Sequence, residues 1–172
     1  MPLSLRPVDP DADAALLHRW VAADRAAFWG MQDASVEDVA AIYGYIDEQP
    51  HLTAWLVDSD GEPLGLVQTY DPFVDEIGEF YDRQPGDLGV HFFLSGDPGR
   101  AGRTTEIVAF VLGQLFDGSV ERLVFEPDVR NEKPLALLRR VGAEEGPVVH
   151  VVTEHMEKDA QFFFLTRERW GG

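Results

Sequence analysis

Gly96, Gly99 and Gly102 are interleaved with Arg100 and Arg103 in a short loop that runs into Thr104 and Thr105. Glycine lets a backbone approach a ligand closely. Where such a loop opens a helix, the unpaired N–H groups and the positive dipole end favour an anion. These residue types point to a phosphate-bearing ligand. Just upstream, His91 lies between Val90 and Phe92 in an otherwise apolar run. Histidine titrates nearest neutrality, so it is either a satisfied core residue or a proton acceptor. Downstream stands Glu126-Pro127-Asp128-Val129-Arg130-Asn131. Its Asp128 is a helix cap or, if its strand adjoins that of His91, an orienting or substrate-binding acid.

Other chemistries lack their residues. The chain has no cysteine, which excludes disulfides, thiolate metal sites and a cysteine nucleophile. His150 and His155 stand outside any familiar ligand spacing, so no metal is expected. The glycine loop lacks the Gly-Lys-Ser/Thr ending of a nucleotide P-loop, and no Gly-x-Ser-x-Gly elbow occurs.

The elements that must position these residues follow from periodicity. Leu88 to Leu94 reads as a buried strand, and Ile107, Val108, Val111, Leu112, Leu115 and Phe116 form one face of a helix behind the glycine loop. Earlier, Leu3 to Val8 starts a sheet, Ala14 to Val21 is a helix, and Ser35 with Asp38 opens a second helix that ends near Glu48. Thr53–Val57 and Leu64–Tyr70 are strands joined by the hairpin turn Asp58-Ser59-Asp60-Gly61-Glu62. Residues 71–87 read as a long acidic loop, and loops of that length tend to be functional. Arg122–Phe125 is a strand, Pro134–Arg140 a short helix, and Val148–Val152 with Gln161–Thr166 a closing antiparallel pair. The aromatic connection Ala26–Asp33, with Trp29 and Gln32, is a staple between helices or a wall of a substrate pocket.

At 172 residues, 45% of them hydrophobic, the chain is read as one globular domain over 1–172. It carries 31 acidic against 14 basic side chains, a formal charge of −17, which argues against a nucleic-acid partner and favours a cationic small substrate. No membrane span or signal-peptide pattern is read, so a cytoplasmic location is the expectation.

Strand, glycine loop and helix, followed by strand and short helix, resemble the core of the GNAT acyltransferase superfamily. Asp75-Glu76-Ile77-Gly78, Tyr81, Gln84 through His91, the Glu126–Asn131 motif and Lys158 through Arg169 resemble its hydroxamate-siderophore branch, the acyltransferases of aerobactin, mycobactin and desferrioxamine assembly. His18–Val21 and Ala26–Asp33 are most similar to the desferrioxamine enzymes. The resemblance implies an α+β fold with a mostly antiparallel sheet of six or seven strands, flanked by helices and splayed at the cofactor site. It implies transfer of an acetyl or succinyl group from acyl-CoA to N-hydroxycadaverine or N-hydroxylysine, by a monomer or homodimer, in siderophore biosynthesis for iron acquisition.

On this reading His91 and Asp128 are catalytic, and the glutamate base common elsewhere in the superfamily is not identifiable. Phe93, Leu94, Gly99, Arg100, Gly102, Arg103, Thr104 and Asn131 would hold the cofactor, with a backbone N–H near Phe93 or Leu94 as oxyanion donor. Trp29, Gln32, Tyr70, Asp75 and Glu76 would receive the substrate. Aminoglycoside or other small-amine acetylation, and acyl-CoA binding without catalysis, are the competing expectations.

Overall fold

The computed structural model describes residues 2–171. Its strands are β1 (Leu3–Pro7), β2 (Leu52–Ser59), β3 (Glu62–Tyr70), β4 (Asp87–Leu94), β5 (Arg122–Phe125), β6 (Glu144–Val152) and β7 (Glu157–Thr166). They form one sheet in the order β1-β2-β3-β4-β5-β7-β6. The helices are α1 (Ala14–Ala22), α2 (Val36–Glu48), α3 (Thr104–Leu115), α4 (Glu132–Arg140) and a single turn α5 (Arg167–Trp170). The mixed α/β class and the order of elements through β7 are those read from the sequence, and the closing turn α5 is an addition. The β1/β2, β5/β7 and β6/β7 ladders are antiparallel, and β4/β5 is parallel.

The chain divides into two compact units, and β3 and β4 each contribute to both. The first holds the residues up to Thr69 together with Phe92–Val111. Its core joins Leu17, Trp20 and Val21 of α1 to Val39, Tyr43 and Ile46 of α2 and to Leu56, Leu66 and Phe93 of the strands. That is the i, i+3, i+4 face expected of amphipathic helices on a sheet. α2 begins in a reciprocal cap: the Ser35 hydroxyl accepts from the Asp38 N–H at 3.0 Å, and the Asp38 carboxylate accepts from the Ser35 N–H at 2.9 Å. Asp60 and Gly61 turn the β2–β3 hairpin with φ of +50° and +81°, the positive values a tight two-residue turn requires.

The second unit holds Tyr70–His91 and the residues from Leu112 onward. Leu123, Val124, Phe162, Phe163 and Leu165 are fully buried there. The acidic segment 71–87 is more ordered than its composition suggests, because Glu76–Phe80 forms a 3-10 turn. Its end is tied down by Asp87, whose carboxylate accepts from the Tyr81 hydroxyl at 2.8 Å, the Gln84 N–H at 2.9 Å and Arg122 at 2.7 and 2.8 Å. The closing pair also starts earlier than the sequence reading placed it. Gly146-Pro147 looks like a breaker, but β6 is the edge strand, the place in a sheet that tolerates proline. A register shift between Glu145 and Val148 absorbs the irregularity.

Candidate active site

In the second unit the β4/β5 ladder runs from Asp87↔Arg122 to Gly89↔Val124. Two residues further along β4 lies His91, and just beyond the end of β5 lies Glu126, so their side chains meet where the ladder ends. The His91 Nε2 is hydrogen-bonded to Glu126 Oε1. The imidazole is 27% exposed while the Glu126 side chain is wholly buried. The Tyr70 hydroxyl donates to Glu126 Oε2 at 2.8 Å, and the Lys158 ammonium of β7 lies 3.4 Å from Oε1. The Tyr70 ring packs against that of His91, centroids 5.4 Å apart. It reaches there because residue 89 is glycine: a Cβ at that position would sit 2.0 Å from Tyr70 Cζ.

Electrostatics sharpen this cluster. Burial alone would raise the Glu126 carboxyl, but the His91 and Lys158 charges and the hydrogen bonds from His91 and Tyr70 outweigh it and hold the group down at about 2. Glu126 is therefore an anion throughout the neutral range. Burial, and next the Glu126 charge, push the Tyr70 hydroxyl well above its ordinary value, so it stays a neutral donor.

Glu126, not Asp128, is the carboxylate on His91. The Asp128 oxygens accept from the Arg130 N–H at 2.9 Å and from its guanidinium at 3.0 and 2.8 Å. The turn between β5 and α4 thus engages Asp128 locally, and Arg130 holds its carboxyl below the usual range. Lys158 adds to that lowering, which puts the two carboxylates in one neighbourhood. Asn131 begins α4, its N–H donating to the Asp128 carbonyl at 2.9 Å. Asp75 caps the 3-10 turn by accepting from the Ile77 N–H at 3.0 Å, and Glu76 accepts from the Glu154 N–H at 3.2 Å. Among the described residues no group of three or more His, Asp or Glu side chains is placed to hold a metal.

In the first unit, β4 continues through Phe93 and Leu94 into the glycine loop. Phe93 is buried between Trp20 and Trp29, meeting the Trp29 ring edge-on at 5.6 Å. Gln32 donates to the Ala23 carbonyl at 3.2 Å, which holds the connection between α1 and α2 closed. Gly102 adopts φ +74°, a left-handed turn that sends the chain into α3 at Thr104. Arg100 donates to the Ser95 carbonyl at 2.8 Å and to the Thr104 hydroxyl at 3.2 Å, while Arg103 pairs with Glu106 and Ser59. Both arginines therefore brace the loop. Gly99 faces the Glu62 carboxylate, where a Cβ would lie 2.5 Å from its oxygen. Arg25, which the sequence reading did not single out, lies over Gly96. Its pKa is lowered by partial burial and by the charge of Arg100, so two guanidinium groups share this side of the loop.

A family profile described as an acetyltransferase (GNAT) domain matches residues 9–151. The chain belongs to the GNAT acetyltransferases. The N-hydroxyputrescine acetyltransferase of Acinetobacter baumannii is 25% identical to this GNAT chain over 172 residues, covering 97% of it and 79% of the relative. The N(6)-hydroxylysine O-acetyltransferase of Escherichia coli is 26% identical over 148 residues, which are 81% of this chain and 45% of that protein, so the chain spans less than half its length. The aminoglycoside acetyltransferase AAC(6')-Ib, solved with ribostamycin and coenzyme A, superposes with a TM-score of 0.80 at 23% identity, covering 99% and 97% of the two chains. That likeness is one of fold. Among the described residues no helix of this GNAT domain is long and apolar enough to cross a membrane.

Proposed function

We propose that this acetyltransferase moves an acetyl group from acetyl-CoA to the nitrogen of an N-hydroxylated diamine, within hydroxamate siderophore assembly, with His91 as proton acceptor. The observation that carries the reading is the partly exposed imidazole of His91 backed by a fully buried carboxylate. The activity named for the Acinetobacter relative and the acidic surface of this chain support a cationic, hydroxylated diamine as acceptor.

The chemistry is direct transfer. The acceptor nitrogen attacks the thioester carbonyl, a C–N bond forms, the C–S bond breaks and the thiol leaves. His91 takes the proton the nitrogen sheds. Main-chain N–H groups at Phe93 or Leu94 would stabilise the developing oxyanion. The loop from Gly99 to Thr104, with Arg100 and Arg103, would receive the donor's phosphates, and Asn131 would add a donor. Asp75 and Glu76 would receive the far ammonium of the acceptor, and Trp29 and Gln32 are further proposed substrate contacts. Tyr70 acts behind His91.

The test is a panel of acetyl-CoA and succinyl-CoA against cadaverine, putrescine, lysine and their N-hydroxy forms, read by thiol release. Iron(III) colour on the product distinguishes a hydroxamate from an O-acyl ester. The expected outcome is fastest turnover of acetyl-CoA with an N-hydroxydiamine and a coloured product. Turnover of aminoglycosides in preference to any of these acceptors would replace the reading with drug acetylation. Tight CoA binding without transfer would replace it with a binding role.

A further inference from the structure

The Glu126 carboxylate is surrounded by donors. Tyr70 donates its hydroxyl to Oε2 at 2.8 Å, and the Lys158 ammonium faces Oε1 at 3.4 Å. The third neighbour, His91 Nε2, lies on the same Oε1. An ionised carboxylate has lone pairs and no hydrogen, so the nitrogen that meets it must carry one. A neutral imidazole has a single N–H, and placing it on Nε2 leaves the lone pair on Nδ1.

We infer that Glu126 is a positioning residue: it fixes His91 as the Nε2–H tautomer, so that Nδ1 is the nitrogen that accepts the acceptor's proton, with Tyr70 and Lys158 holding the carboxylate for that task. The inference rests on the reading of His91 as the proton acceptor. During transfer one proton moves from the attacking nitrogen to Nδ1. The imidazolium then has an N–H on each side, its inner one still on Glu126, and it passes the new proton to the departing thiolate or to water. Lys158 matters because His91 is charged for only part of the cycle. A buried carboxylate without a counter-charge is costly, and the ammonium supplies one while the imidazole is neutral. Tyr70 contributes a hydrogen bond that does not change with the protonation of His91.

The direct test is nitrogen-15 NMR of histidine-labelled protein, with the His91 signals assigned by their loss in His91→Ala. The wild type is expected to carry its ring hydrogen on Nε2, and Glu126→Gln to show a mixture of tautomers. Kinetically, Glu126→Gln is expected to lower kcat roughly 10- to 100-fold with the KM for acetyl-CoA within about twofold, the range of a weakened general base. Lys158→Met is expected to lower kcat by roughly tenfold, and Lys158→Arg, which keeps the charge, to recover most of it. The lysine pair and the wild-type spectrum decide the matter even if Glu126→Gln folds poorly. A wild-type ring hydrogen on Nδ1, or a kcat unchanged in Glu126→Gln, overturns the inference. A wild-type Nε2–H form in a protein whose acetyl transfer survives His91→Ala supports the positioning of the ring and removes the catalytic reading instead.

Discussion

As the proposed proton acceptor, His91 would separate two kinds of acceptor. An alkylamine is protonated at neutral pH and must lose a proton before it attacks, whereas the electron-withdrawing oxygen of a hydroxylamine leaves its nitrogen largely neutral. Removing the base should therefore hurt the simple amine more. His91→Ala is expected to lower kcat/KM for cadaverine by roughly 10²-fold or more, and for N-hydroxycadaverine by a clearly smaller factor. Parallel assays of the two acceptors check this, and equal losses would mean that the imidazole serves something other than proton transfer. His91 is legible as a candidate because a histidine inside an apolar run stands out from its neighbours. Its partner is not. Glu126 and Asp128 sit in one six-residue motif, and choosing between them requires knowing that the turn after β5 closes Arg130 onto Asp128. Tyr70 likewise reads as a pocket residue until its near-complete burial assigns it to the support of Glu126.

The elements were more legible than the side-chain pairings. All six apolar positions read as one helical face, from Ile107 to Phe116, are buried. Periodicity depends only on local geometry, which a sequence carries. Gly89 carries no such signal, since nothing local shows that a ring from β3 lies against it. The side chain an alanine would add occupies the place of Tyr70, at 2.0 to 2.3 Å from three ring atoms. Gly89→Ala is therefore expected to destabilise the protein by about 1–3 kcal/mol through overpacking, and to lower kcat as the Tyr70 hydroxyl leaves Glu126. Urea denaturation measures the first effect. In a Tyr70→Leu background the same substitution should cost clearly less, because the two positions compete for one space. Additive costs would show that the strain falls elsewhere.

For the molecule as a whole, 31 acidic groups raise the question of what acid does to stability. Two effects oppose each other. Protonating exposed carboxylates relieves the self-repulsion of a chain at −17, and that favours the folded state. Protonating carboxylates that the fold holds below their unfolded value opposes it. Glu126, at about 2, is the strongest of these, and Asp128 beside Arg130 adds to it. A group whose folded value is depressed stabilises the fold above its unfolded value, about 4.3 for Glu, and that contribution disappears as pH falls toward the folded value. Salt at about 0.15 M screens exposed charges beyond roughly 8 Å but hardly touches a buried anion, so the second effect should win there. The melting temperature in physiological salt is expected to vary little between about pH 8 and 5 and to fall steeply between about pH 4.3 and 2. Glu126→Gln should start lower at neutral pH and descend less steeply, because its folding no longer excludes a proton at that site. Thermal melts of the two proteins across this range provide the check, and parallel acid limbs would show that the buried carboxylate is not the source of the acid sensitivity.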